Sequence, residues 1–297
     1  MSRRAYALIA ASFVALFYGA NYTIAKDVMP TYVQPFGFII LRIAGALLLF
    51  WIISFLGPKE KIERRDYPRM IAAAIFGVGI NMLAFFEGLS LTTPINASVL
   101  MVTTPMIVLI LSVVFLKEKL KLLKVLGILI GLSGTLLIIL YSHPAAVDAP
   151  NIPLGNIYIF INATSYSCYL LIVKKITEKY HPFTFMKVLY AIGLVFVLPF
   201  GYEQLLAVEF SSIPLEIYLK IGYVLVFATF GTYILNIFAI RELKPTTVAV
   251  FVYVQPFLAA IFAVFLGKDQ IDMVKILAAV LIFTGVYLTS KKPKRLA

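Results

Sequence analysis

Apolar residues in this chain fall into ten long runs, and the polar positions gather in short breaks between the runs rather than alternating within them. Runs of roughly 20 residues suit a helix crossing a ~30 Å hydrocarbon layer, whereas a membrane strand is about half that length. Reading runs and breakers together, spans are expected near 5–26, 35–56, 70–90, 94–116 and 122–142. A second set is expected near 154–175, 184–206, 217–240, 246–266 and 271–290. Pro35, Pro94, Pro153, Pro182, Pro214 and Pro245 stand at or just before starts, where a missing N–H costs nothing. The first run follows Ser2-Arg3-Arg4 and outlasts a signal-peptide core, so it is read as a retained helix.

Composition excludes a soluble alternative. Hydrophobic residues make up 62% of the chain and charged ones 13%, with a mean hydropathy of +0.97. A soluble domain is about half apolar and about a quarter charged. Ten spans use roughly 200 residues, which leaves short loops and no soluble domain.

Charge then sets orientation. A net charge of +12 would direct a soluble protein to nucleic acid, but here the basic residues sit in loops and no nucleic-acid partner is expected. With the N-terminus placed in the cytoplasm, 21 Lys and Arg residues fall on that side. Only Lys26, Lys220, Lys268 and Lys275 fall on the other, and Arg42 lies inside the second span. That split puts both termini on the cytoplasmic side of a bacterial inner membrane. The single Cys168 excludes an internal disulfide and a multi-cysteine metal site, and no cofactor or metal is expected.

The chain also repeats. Shifted by 151 residues, 94–140 fall on 245–291 without a gap: Pro94 meets Pro245, Pro105 meets Pro256, Lys124 meets Lys275 and Gly134 meets Gly285. Tyr22–Lys26 resembles Leu170–Lys174 more weakly, in a slightly different register. Each unit holds five helices, and because five is odd the second unit enters from the opposite face. The expected fold is therefore an all-α membrane protein of ten transmembrane helices in two inverted repeats, 1–143 and 152–292. Inverted repeats are typical of secondary transporters that work by alternating access.

These pieces carry a resemblance. Gly19-Ala20-Asn21 with Lys26, Pro105 followed by Phe115-Leu116-Lys117-Glu118, Gly127 with Gly134, and Pro256 with Gly267-Lys268-Asp269 resemble the EamA-type group of the drug/metabolite transporter superfamily. Tyr18 stands where that family often has tryptophan, and Asp269 replaces a glutamate. The resemblance implies gradient-driven movement of small metabolites, amino acids or drugs, often outward, with a proton or another ion as coupling partner.

Candidate site residues follow from depth. Pro105 and Pro256 lie near mid-membrane and are expected to kink their helices, either as cavity walls or as packing features. Thr103, Thr104 and Gln255 stand beside them. Asn21, Asn81, Asn162 and Asn236 need protein or a cavity around their amides, as solute ligands or as interhelical glue. Tyr166, Tyr169, Tyr233 and Tyr253 add amphipathic rings which, with the amides, suit flat or amphipathic solutes with few charges. Arg42 and Glu87 lie furthest from any loop, at similar depth. Those depths allow a salt bridge, with Glu87 as proton carrier or substrate counter-ion and Arg42 as its modulator, or as a static pair near the interface; separate snorkelling is the other alternative. Gly127, Gly131 and Gly134 share a helix face, expected to be a close contact or a homodimer face. The Lys117–Lys124 stretch suits lipid headgroups. An intramembrane enzyme would need a catalytic cluster, yet His143 and His181 lie at opposite sides; a passive channel is a lesser rival.

Overall fold

The computed structural model describes residues 2–141, 149–265 and 273–291. Among them the chain forms helices and no strand; with abutting pieces joined, the helical stretches are labelled α1 to α10. Helix α1 spans Arg3–Val28, α2 Pro35–Ser54 and α3 Arg64–Leu91. Helix α4 comes in two pieces, Pro94–Met101 and Thr104–Leu116, and α5 covers Leu122–Tyr141. Then follow α6, Ile152–Thr177, α7, Pro182–Leu206, and α8, Leu215–Glu242. Helix α9 joins Pro245–Ala249, a 3-10 turn Val250–Tyr253 and Val254–Phe265, and α10 is Met273–Ser290. Six of them (α1, α2, α3, α6, α7 and α8) are long and apolar enough to cross a membrane, and the other four contain shorter apolar stretches. His143 and Gly267-Lys268-Asp269 lie outside the described residues.

Burial is arranged for lipid. Leu48, Val195, Leu219 and Val280 lie on the outside, while Asn21, Asn162, Asn236 and Gln255 are buried. Water would favour the reverse; hydrocarbon drives amide groups to the inside of the bundle, away from the lipid.

The helices pack in related pairs. α5 runs along α10 and α2 along α7; α3 packs on α6 as α1 packs on α8, and α4 on α6 as α9 on α1. Glycines permit the closest of these approaches: a Cβ on Gly285 of α10 would stand 2.5 Å from the Gly131 nitrogen and 2.6 Å from the Gly127 oxygen of α5. The glycine face expected as a close contact or a homodimer face makes a close contact within the chain.

Several helices are interrupted where the hydropathy runs continue. α3 and α8 each contain a π turn, Ile75–Gly79 and Val226–Gly231, and Ile75 and Val226 are separated by the same 151 residues as Pro105 and Pro256. A π turn leaves carbonyls without their usual partners, and polar side chains take them. Phe76 O accepts from Ser165 Oγ at 2.7 Å, Gly77 O from the Tyr233 hydroxyl, and Ala228 O from Thr232 Oγ1 at 2.9 Å. The expected proline kinks are also breaks. In α4 the helix stops at Val102–Thr103, Thr103 Oγ1 donates back to Leu100 O at 2.6 Å, and Pro105 sits in the first turn of the second piece, where it removes no hydrogen bond. In α9 the 3-10 turn precedes Pro256.

Helix ends are tied by lysines. Lys26 Nζ donates to Leu89 O at 2.9 Å and Ser90 O at 3.0 Å, closing the last turn of α3. Lys174 Nζ does the same for α8 through Ile240 O at 2.8 Å and Arg241 O at 2.9 Å. At the end that carries the N-terminus, Lys179 clamps Glu63 at 2.7 Å and Asp66 at 2.5 Å. The Lys179 hydrogen bond holds the Glu63 carboxyl below its ordinary range, and the Asp66 carboxylate with Glu63 pushes the Lys179 ammonium up.

Candidate solute-binding site

A cavity of about 60 Å³ lies where α1, α2, α3, α4, α6, α8 and α9 converge. That holds a few waters; metabolite sites run to about 300–1,000 Å³.

One end of the cavity is set by Arg42, only 4% exposed. Its Nε donates to Thr229 Oγ1 at 2.7 Å and its Nη2 to Ala228 O at 3.3 Å, both in the π turn of α8. Phe86 of α3 lies under the guanidinium, 4.5 Å from carbon to ring centre. A guanidinium has five N–H donors, so three have no protein acceptor among the described residues. No carboxylate pairs with it among the ion pairs of those residues.

Around the rest of the wall stand acceptors and rings. Asn162 Nδ2 donates to Asn81 O at 2.7 Å, which leaves the buried Asn162 Oδ1 with no donor. Asn21 Oδ1 is likewise without one. Tyr22 OH donates to Gln255 Oε1 at 3.2 Å and fixes that amide across α1 and α9. Phe85 packs edge-on to both Tyr22 and Phe86. The cavity therefore joins a cation, unpaired amide oxygens and aromatic faces.

The anticipated residues divide. Asn21, Arg42, Asn81, Asn162, Tyr166, Tyr233 and Gln255 line the cavity. Tyr169 and Asn236 sit one layer behind: Tyr169 packs beside Tyr166 and Tyr233, and Asn236 Nδ2 donates to Tyr166 OH at 2.7 Å. Thr103, Thr104, Pro105, Tyr253 and Pro256 are not on the wall. Tyr253 packs on Gly131 near the α5 contact, and Thr104 is fully buried beside the α4 break. The Arg42–Glu87 ion pair that those depths allow does not form: Glu87 is half-buried and off the cavity, because Phe86 takes the face toward Arg42 and the next residue lies 100° around the helix. Tyr18, Tyr22, Met82, Phe85, Phe86, Met101 and Val252 complete the wall and were not among the expected site residues. Helical spacing from Asn21 to Tyr18 was the available signal for the first of them.

A family model described as the EamA-like transporter family matches residues 5–140 and 153–291. The chain belongs to the EamA-like transporter family. It is an integral membrane protein with a transporter role. An uncharacterized transporter of Bacillus subtilis (strain 168), YyaM, is 26% identical over 93% of this chain and 90% of its own length. An uncharacterized transporter of Archaeoglobus fulgidus is 25% identical, with coverages of 96% and 98%. A solved crystal structure of a protein superposes with a TM-score of 0.75 at 18% identity, covering 97% of this chain and 96% of that one. This last likeness speaks to the fold.

Proposed function

We propose that this EamA-family protein is a secondary transporter of ten spans in two inverted repeats, 1–143 and 152–292. Its central cavity binds a small solute through an anionic group held by Arg42. The observation that carries the solute class is the buried guanidinium with neutral partners and spare donors. A charge at this depth costs at least ~2.5–3.5 kcal/mol on insertion scales, so a partner is expected. The planar fork of arginine matches a carboxylate. Asn21 Oδ1 and Asn162 Oδ1 suit a donor on the same solute, an ammonium or a hydroxyl, and the Phe85–Phe86 surface suits an apolar remainder.

The repeat supports alternating access. Exchanging the first five helices with the second five carries the packing pairs onto one another, and the π turns, helix breaks and lysine caps recur in step. Arg42 does not recur: at the 148-residue spacing that relates Lys26 to Lys174, its counterpart is Tyr190. The scaffold is duplicated while the anion anchor is single, as a carrier with one site between two halves requires. The basic residues of the loops support cytoplasmic termini in a bacterial inner membrane, and the family supports gradient-driven, often outward, transport.

Purified protein in liposomes, offered labelled carboxylates and their amides as matched pairs, tests this reading. Saturable uptake of a carboxylate at least about tenfold above its amide, one lost bidentate contact, is expected. Equal uptake of both would remove Arg42 as the anchor.

A further inference from the structure

A second cavity, of about 330 Å³, opens at the end of the bundle that carries the N-terminus. Its chemistry is unlike that of the central one. Arg4 enters from the start of α1, Lys119 and Lys121 from the α4–α5 connection, and Lys124 from the first turn of α5. Lys174 comes from α6, Lys244 from the α8–α9 joint and Lys291 from the end of α10. The one acid on the wall is Glu242. Two more lie at hand: Glu118, shared by Lys124 at 3.2 Å and Lys244 at 3.4 Å, and Glu178, 3.8 Å from Lys174. Seven cations thus face three carboxylates.

Basic loops alone account for orientation in the membrane, but not for this arrangement. Orienting lysines need only be exposed on one side, whereas these converge from separate segments on one hollow, and some are sheltered. The Lys124 and Lys174 side chains are 14% and 20% exposed. Arg4 and Lys174 are already engaged at helix C-termini, through Ser290 O and through Ile240 O and Arg241 O. They fix the walls and leave Lys119, Lys121 and Lys291 to complete a ligand's shell.

We infer that this basic cavity is a phosphate-group site, separate from the central cavity and independent of which solute that cavity takes. Several point-charge ammonium groups around a hollow of this volume suit a compact, multiply charged group with oxygens on every side. A single planar carboxylate would leave most of them unused. Two sources present that chemistry at the membrane surface: the headgroup of an anionic phospholipid and a soluble phosphate.

The full-length protein in neutral detergent tests the inference. Native mass spectrometry would follow retained phosphatidic acid against phosphatidylcholine, and calorimetry would follow inorganic phosphate. The double variant Lys119→Gln, Lys121→Gln spares the buried contacts; Lys59→Gln, Lys61→Gln removes two exposed charges outside the cavity wall as a control. Retention of phosphatidic acid that falls about fivefold per lysine in the first variant, and is kept in the control, supports the site with a lipid source. Calorimetric binding of inorganic phosphate with the same variant pattern, and no lipid preference, supports it with a soluble source. Equal losses in both variants would reduce the cavity to general surface charge and overturn the inference, as would no binding of either probe.

Discussion

At Arg42 the membrane's penalty on charge meets two hydrogen bonds and one aromatic face, and the chemistry of the central cavity follows from what those partners leave open. Arg42→Gln removes the charge and the fork. Transport of the preferred anion should fall by about a hundredfold, on the scale of ~2–3 kcal/mol for a charged hydrogen-bonded contact, with the protein still recovered folded. Arg42→Lys keeps the charge but not the planar donors, and should raise KM by about tenfold while leaving most of the maximal rate. Glu87→Gln, off the wall, should leave KM unchanged; an altered KM in liposome uptake would bring Glu87 into the site. The burial of Arg42 was legible in the sequence because an ionised side chain seven residues into an apolar run has few places to go. Its partner was not legible. Depth along the axis is read from residue count, but the angular position that set Phe86 rather than Glu87 beneath it depends on how α2 and α3 pack.

Among the helices, the π turns were the least visible feature. Ile75–Gly79 and Val226–Gly231 lie inside continuous apolar runs, and one extra residue in a turn leaves hydropathy unchanged. The α5–α10 contact was half legible: the glycine spacing gave the close face, but not whether the partner was the chain itself or a copy. Gly285→Leu should wedge these helices apart, costing ~1–3 kcal/mol or more as overpacking and lowering the midpoint of thermal unfolding, with oligomeric state unaltered. Lys26→Met, which strips the cap from the last turn of α3, should destabilise by a similar ~1–3 kcal/mol. The Lys179 clamp makes a pH prediction. Glu63 has its carboxyl lowered on folding, so the clamp contributes above the ordinary glutamate value of about 4.3 and is lost as pH falls through the lowered one. Hydrogen exchange in the 55–66 segment should be slow at pH 7 relative to its intrinsic rate and lose that protection under acid. In Lys179→Gln the protection should be absent at both.

For the molecule as a whole, the arrangement of the helices was legible because lipid simplifies the code. Spans must be mostly apolar, the loops carry most of the charge, and a gap-free 151-residue offset lays the prolines and glycines of 94–140 on those of 245–291. The same simplicity hid the site. Most of the wall is Tyr, Phe and Met, which in a membrane helix read as lipid-facing or packed residues. Only the fold selects those that converge between the halves. A residue with partners in both matched segments therefore carries the account: Arg42 lies within 5–140 and is seated on the π turn of α8, within 153–291. The direct test is counterflow. Liposomes preloaded with an unlabelled carboxylate solute take up the labelled form through wild-type protein and through Arg42→Gln. Stimulation by internal solute in the wild type, abolished in Arg42→Gln while folded protein is retained, is the predicted result. Equal stimulation in both would contradict the assignment of Arg42 as the anion anchor of a carrier.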